Sequence, residues 1–452
     1  MAEQLHLAAF LLASHMTHSH ASWRHPRNDP SFLTPEYYEN LARIAEKGKF
    51  DFVFFADGLL IPDRYGAGVR DTVQRGVQGA ASLDPAYIVP LVAAATKRLG
   101  IGLTRSTSYY QPFDIARGFA TLDHLSRGRI AWNVVTSGCQ SEARNFGMDA
   151  HIDHDLRYDR AEEFLEATFK LWGSWDEGAL IQDKASGLFA DPDKVHYADH
   201  EGKWFKVRGP LTVPRSPEGR PAIMQAGSSN RGRDFAARWA EIVFEIDPTP
   251  EGRKAYYADV KSRLTKFGRK PNDVKIFPAF IPFVGETEAI AREKQQFNNE
   301  LADPIAGIVT LSSHLDHDLS QYDPNAPLAD IDSNGTQGML ALAKRLTDAN
   351  NLTLRDIGKL FAQGVLLPHF VGTPTQIADE IEASFKNEEA DGFIVSASHT
   401  PGGYEEFVDL VVPELQRRKL FRAEYESSTL RGHLGFDKGS LVPPARPAST
   451  ET

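Results

Sequence analysis

The stretch Pro221-Ala222-Ile223-Met224-Gln225-Ala226-Gly227-Ser228-Ser229-Asn230-Arg231-Gly232-Arg233 is apolar, then tight, then polar ahead of a helix-like run from Phe235 to Trp239. It reads as a strand that feeds a helix through a phosphate cradle. Gly227 is expected to take the positive φ of a sharp turn. Ser228, Ser229 and Asn230 are helix-capping residues. A helix start offers a phosphate unpaired N–H groups and the positive end of a dipole. A second apolar strand, residues 130–135, also leads into polar groups, with Asn133 near its end and Thr136 and Ser137 just after it. Two such strands point to an α/β enzyme that holds a phosphorylated cofactor.

Working outward, strand-like runs at 7–12, 51–57, 99–106, 130–137, 222–226, 242–246, 276–284 and 392–396 are mostly separated by helix-like segments. One of these opens at Thr34-Pro35, a cap residue followed by proline at the first helical position, and stops at Gly48. Repeated strand–helix units imply a parallel sheet. Eight of them fit an α/β fold of the (β/α)8 TIM-barrel type. Two excursions, at about 174–220 and 302–371, break the rhythm and read as large insertions. The second is expected to hold polar loops around 312–325 and a helical stretch near 339–346. The barrel is expected to be a single domain over 1–422. A loop-like C-terminal extension follows over 423–452, its end from residue 442 expected to be disordered. A doubly wound dinucleotide fold is disfavoured: Gly66-Ala67-Gly68 lacks the third glycine, at Asp71, and does not follow a strand.

The chain of 452 residues carries 41% hydrophobic and 25% charged residues and a net charge of -11, with no basic stripe, so nucleic acid is not an expected partner. No apolar run is long enough for a membrane span, and residues 1–20 lack a signal-peptide pattern. The single cysteine, Cys139, cannot form an internal disulfide, which fits a cytoplasmic protein.

In a barrel the polar residues at the C-terminal strand ends line the active site. That rule selects Asp57, Thr104, Ser106, Asn133, Ser137, Ser228 and Ser229. Most are neutral hydrogen-bonding groups, suited to a polar heterocycle; taken singly, each is as well explained as a cap or a backbone partner. His15, His18, His20 and His25 cluster after the first strand but match no zinc spacing, so no metal is expected. They read as a pocket-lining loop. Arg157 and Tyr158, at a helix start, are placed to reach an anion or to pair with Asp153 and Asp155. His314 and His369, in or beside the second insertion, are pocket or surface residues. Gly227 to Arg231 comes near a nucleophile elbow, yet G-x-S-x-G fails at Arg231, which leaves a serine hydrolase as a weak rival.

Several stretches together carry a resemblance: WRHP (23–26), EKGKFD (46–51), GRIAWNVVTS (128–137), ARNFG (143–147), RYDRAEEFLE (157–166), DPDKVHY (191–197), QAGSSNRGRDFAA (225–237) and VVPELQRR (411–418). With these the chain resembles the bacterial-luciferase-like, flavin-dependent monooxygenases, in the branch of nitrilotriacetate, long-chain-alkane and dibenzothiophene-sulfone monooxygenases. LSSH (311–314), ADGFI (390–394) and LRGHLG (430–435) bring it nearest to the sulfone side of that branch. The resemblance implies a barrel using reduced FMN and O2, with the FMNH2 supplied by a separate NAD(P)H-dependent flavin reductase. It further implies a homodimer or homotetramer and oxygen activation at flavin N5 as a peroxide or oxide. Carried over by position, Gly227, Ser228, Ser229 and Tyr158 hold the phosphate, and Asp57, Thr104, Ser106, Asn133 and Ser137 surround the ring. Thr104 and Asn133 are the expected oxygen site. Phe10, His20, His314, His369 and Phe370 are the expected substrate pocket, with His20 or His314 as a proton shuttle. Alkane-oxidising relatives carry a histidine at Gly138 and a cysteine at Ser14, which argues against an alkane. The expected substrate is an aromatic organosulfur compound, with chlorinated, flavin-like or aminopolycarboxylate substrates as alternatives. A deazaflavin-dependent oxidoreductase and a non-catalytic flavin-binding protein are the rivals from other classes.

Overall fold

Eight parallel strands close on themselves: β1 (His6–Leu12), β2 (Phe52–Ala56), β3 (Gly100–Ser106), β4 (Ile130–Val135), β5 (Ala222–Gln225), β6 (Ile242–Glu245), β7 (Lys275–Val284) and β8 (Gly392–Val395). Each pairs with its sequence neighbours, and β1 with β8 completes the ring, in register His6 to Gly392. Helices between the strands form the outer layer, so this is the expected TIM barrel. The chain is described, from a computed structural model, over residues 4–328, 331 and 335–445. Part of the tail expected to be disordered, 446–452, lies outside the described residues.

Alternation along the strands divides the core. Phe10, Phe52, Phe54, Met224, Phe244 and Phe277 fill the barrel interior. Leu103, Trp132, Phe164 and Trp239 pack between strands and helices. Strands covered on both faces read as continuous apolar runs, which is why they are visible in the sequence. The helix Pro35–Lys47 begins with proline after Thr34 and buries Tyr37, Tyr38, Leu41 and Ile44 against the sheet.

The excursions contain more structure than expected. Residues 174–220 include two small antiparallel hairpins, Leu180–Asp183 with Leu188–Ala190 and His200–Glu201 with Lys206–Val207. The second excursion is largely helical: Pro304–Leu315, Gln337–Asn350 and Leu354–Gly364. Ser312 to Leu315, expected in a polar loop, are the last turn of a buried helix. That helix approaches Leu354–Gly364 so closely that a Cβ on Gly307 would fall on the Gly358 carbonyl.

The tail also departs from the loop-like expectation. Thr429 caps a short helix, Leu430–Leu434. Leu430 and Leu434, with Phe436, join the interior cluster and plug the barrel's own N-terminal end. Glu241 anchors this plug, binding Arg220 at 2.9 Å and also Arg431. Among the described residues, no helix is long and apolar enough to cross a membrane.

Candidate active site

At the C-terminal strand ends, the strand, turn and capped helix expected around Gly227 are present, with one correction. The Ser229 hydroxyl caps the helix Asn230–Trp239, accepting from Gly232 N at 3.1 Å. Gly227 is not among the positive-φ glycines, so turn strain is not what requires it. Close approach is: an added Cβ would sit 3.0 Å from both the Tyr158 hydroxyl and Gly232 Cα, and would overlap the Gln225 amide. Gln225 Oε1 accepts from Gly227 N at 2.7 Å, and the Tyr256 hydroxyl donates to Gly227 O at 3.0 Å. Tyr158, arriving from the helix His154–Trp172, is 6% exposed. Arg157, 2% exposed, lines the same space. The start of Gln337–Asn350 closes over this end, with Gly338 directly against the Ser228 hydroxyl.

The cradle is one end of a cleft with two lobes. The lobe beside it has a volume of about 350 Å³ and is walled by Ser137, Arg157, Tyr158, Gln225 and the Gly227–Ser229 turn. The second lobe, about 220 Å³, is walled by Leu12, Ala13, Leu60, Pro62 and Thr310. Asp57, Gly138, Glu142, His314 and Thr336 line both.

Asn133 and Thr104 line neither lobe: Asn133 Nδ2 donates to Thr104 Oγ1 at 2.9 Å, and Thr104 Oγ1 donates to the Phe55 carbonyl at 2.9 Å. Thr104 therefore spends its proton on the backbone. Asn133, 3% exposed, keeps Oδ1 without a partner. A buried acceptor left open is costly unless a ligand or water meets it. Ser137 donates to Ser106 Oγ at 3.0 Å from a left-handed backbone (φ 58°), an unusual conformation for a non-glycine residue. The open Asn133 acceptor, the neutral hydroxyls and the cradle fit a flavin bearing a phosphate.

Asp57 lies 3.1 Å from Arg105, but burial outweighs the cation and pushes its carboxyl up to about 7. The histidines move the other way. Burial lowers His20 to about 3 and His314 to about 4, so both are neutral at pH 7. This corrects the expectation of a histidine that gains and loses a proton near neutrality; Asp57 is the cleft group brought into that range.

The remaining expected pocket residues separate. His314 lines both lobes, and His20 stands one residue behind the wall, its Nε2 3.1 Å from Thr310 Oγ1. Phe10 is not in the pocket. It lies one layer down in the barrel, its ring 3.6 Å from that of His18 and tilted 31° to it, and against Phe54, while Leu12, two residues on, reaches the lobe. His369 and Phe370 are also outside it. They belong to a short strand, His369–Gly372, that pairs with the distal half of β7. Phe370 stacks on Phe280 at 4.3 Å in the outer core, and His369 lines a separate hollow with Gln295. Sequence reasoning missed Glu142. Its carboxylate accepts from Leu59 N at 3.2 Å and from Gly138 N at 3.3 Å, tying the loop after β2 to the loop after β4. The only signal was an acid shortly after a polar strand end. Among the described residues, no three His, Cys, Asp or Glu side chains are placed to hold a metal.

Comparisons with known proteins agree with this geometry. The Luciferase-like monooxygenase family matches residues 8–409. Dibenzothiophene-sulfone monooxygenase of Rhodococcus erythropolis (strain XP) is 49% identical over 96% of this chain and 97% of its own length. Nitrilotriacetate monooxygenase component A of Aminobacter aminovorans is 41% identical over 94% of this chain and 96% of its own. The crystal structure of riboflavin lyase, with modified FMN and riboflavin, superposes with a TM-score of 0.89 at 34% identity over 96% of each chain. A closed parallel barrel, a capped helix start after β5 and relatives matched over nearly their whole length have one reading: the chain belongs to the luciferase-like monooxygenase family and is a flavin-dependent monooxygenase.

Proposed function

We propose that this protein is the oxygenase of a two-component system that cleaves an aromatic organosulfur compound of the dibenzothiophene-sulfone type. Its flavin is reduced FMN and its co-substrate is O2. The observation that carries the reading is the bipartite cleft, with a phosphate cradle at one end and a largely apolar lobe at the other. The substrate class draws on the sulfone relative, and the two-component arrangement on the relative named component A. A separate NAD(P)H-dependent flavin reductase supplies the FMNH2. A cytoplasmic homodimer or homotetramer completes the proposal, and analytical ultracentrifugation tests the assembly.

In this reading Gly227, Ser228, Ser229 and Tyr158 hold the phosphate. Asp57, Ser106 and Ser137 surround the ring, with Thr104 and Asn133 as the polar floor against which O2 is held. Reduced FMN supplies the electrons with which O2 is split, one oxygen passing to the substrate. Leu12, Leu60 and Pro62 shape a dry lobe that keeps water from the reacting atoms. His314, neutral, offers the substrate a hydrogen bond without a charge. Asp57 is the group able to give or take a proton near pH 7.

The test combines the protein with FMN, NADH, a flavin reductase, O2 and dibenzothiophene sulfone, followed by mass spectrometry. A ring-opened hydroxybiphenyl sulfinate is expected. If reduced FMN binds and reacts with O2 but the sulfone is untouched, the substrate assignment fails. If FMN does not bind, the site assignment fails. The riboflavin lyase likeness favours a second reading, the same chemistry on a flavin-like heterocycle, for which riboflavin is the direct assay.

A further inference from the structure

Asp57 shares its cation with an acid outside the cleft. Arg105, a buried residue of β3, donates from Nη1 to Asp57 Oδ2 at 3.1 Å and from Nη2 to Asp84 Oδ1. A guanidinium can close a two-bond fork on a single carboxylate. Here each acid takes one arm, so Asp57 receives a single N–H. The guanidinium is held in place over the Tyr110 ring, 5.4 Å from its centroid. Asp84 lines neither lobe and stands at the surface, with 42% of its side chain exposed. It also caps the helix Pro85–Ala95, accepting from Ala86 N at 2.9 Å.

The charges around Asp57 do not balance. Glu142, from the helix Gln140–Asn145, lines both lobes with Asp57. One cation therefore meets three acids. Burial does most to hold the Asp57 carboxyl up; Arg105 opposes it, and Asp84 and Glu142 add to it. The other titratable groups on the second lobe bring no charge at pH 7: burial lowers His314 and raises Cys139. Burial also raises Tyr110, which stays neutral beneath the guanidinium.

We propose that Asp84 is a positioning residue for Asp57: from the surface it holds one arm of Arg105, which leaves Asp57 a single hydrogen bond to that cation and lets its carboxyl hold and release a proton beside the flavin. This role depends on Asp57 lying against the flavin ring. Without the Asp84 charge, both arms of Arg105 are free to turn to Asp57 and the repulsion between the two acids is gone. Each change favours the Asp57 anion.

The experiment follows the Asp57 carboxyl carbon by carbon-13 NMR in the flavin-free protein, at low ionic strength because salt screens an exposed charge. The resonance is assigned by its loss in Asp57→Asn. Asp84→Asn keeps the helix cap, since asparagine caps as well as aspartate. It is expected to lower the titration midpoint of Asp57 by about one pH unit. Arg105→Gln removes the cation and is expected to raise that midpoint by a similar amount. A change that only loosened the structure would not move the two variants in opposite directions. An unmoved midpoint in Asp84→Asn, or shifts of the same sign in both variants, overturns the role of Asp84. Anaerobic addition of reduced FMN to the wild-type protein is expected to shift the same resonance. No response would overturn the placement of Asp57 beside the flavin, and the proposal with it, while the two variants still report whether Asp84 governs Asp57.

Discussion

Gly227→Ala is the sharpest probe of the phosphate cradle. Backbone strain does not enter, because Gly227 lies outside the left-handed region. The added methyl must displace something: it falls 3.0 Å from the Tyr158 hydroxyl and from Gly232 Cα, and it overlaps the Gln225 amide. Tyr158 is buried and the helix start is capped, so neither yields freely. Overpacking of this kind costs about 1–3 kcal/mol. If binding must restore Tyr158 and the turn to their original places, that cost appears in affinity, about 5- to 150-fold. Riboflavin, lacking the phosphate, does not use the cradle. Anaerobic calorimetry with reduced FMN and reduced riboflavin therefore separates the two. The expected result is FMN weakened within that range and riboflavin unchanged, with Tyr158→Phe weakening FMN by about tenfold through the loss of one hydrogen bond to a charged group. Equal losses for both flavins, or an unaltered FMN affinity, would refute the placement of the phosphate at this turn.

Asn133→Ala should leave FMN affinity near normal and cut coupled product by about 10²-fold, with hydrogen peroxide rising, read by product against O2 consumed; full coupling would remove Asn133 from the oxygen site. Asp57, raised to about 7 from 3.8, keeps its proton in the folded state over a range where the unfolded chain has lost it. Its contribution is thus fully present below about pH 4 and disappears as pH rises through 7, about 4 kcal/mol in all, so Asp57→Asn should be relatively more stable at pH 8 than at pH 5 in urea unfolding. His314, lowered from 6.5 to about 4, has the opposite sign: stability falls as pH drops from 6.5 through 4, by about 3 kcal/mol, and His314→Gln should flatten that acid limb. Glu241→Gln leaves Arg220 and Arg431 buried without their carboxylate and should cost about 3–5 kcal/mol, since it releases the C-terminal plug.

How much was legible in the chain depended on how local each feature is. All eight barrel strands were visible because a strand buried on both faces is a compact apolar run, as in Phe52-Val53-Phe54-Phe55. The cradle was visible because strand, turn and cap occupy one continuous stretch. Pro304–Leu315 was missed because Ile-Ala-Gly-Ile-Val-Thr-Leu-Ser-Ser is uncharged and buried nearly all round, so no charged face marks a helical period. What makes it a helix is its contact with Leu354–Gly364 at Gly307 and Gly358, a long-range fact. The substrate lobe suffered similarly. It draws on Leu12, Leu60, Gln78, Gly138, Thr310 and Thr336, from a strand end, loops and helices far apart in the chain, so no sequence window contains it. Phe10, His369 and Phe370 were misplaced because side-chain direction along a strand, and the strand's partner, decide which layer a residue enters.

The electrostatics of the cleft follow from the same burial. Burial drives His18, His20 and His314 to their neutral forms, and the neighbouring histidines add to the effect at His18 and His20. Asp57 is driven toward neutrality despite an arginine at 3.1 Å. Burial thus drives Asp57 and the histidines toward neutrality, Glu142 lines both lobes with its carboxylate held by the Leu59 and Gly138 amides, and Arg157 stands beside the cradle at the far end. The cleft is graded, with a cation and helix start where a phosphate would sit and little charge where the substrate would sit. An uncharged aromatic sulfone matches that gradient. An aminopolycarboxylate would have to place several negative charges among neutral histidines, at a desolvation cost nothing in the lobe offsets. The gradient itself therefore ranks the candidate substrates, and competition between dibenzothiophene sulfone and nitrilotriacetate for the FMN-loaded protein should favour the sulfone.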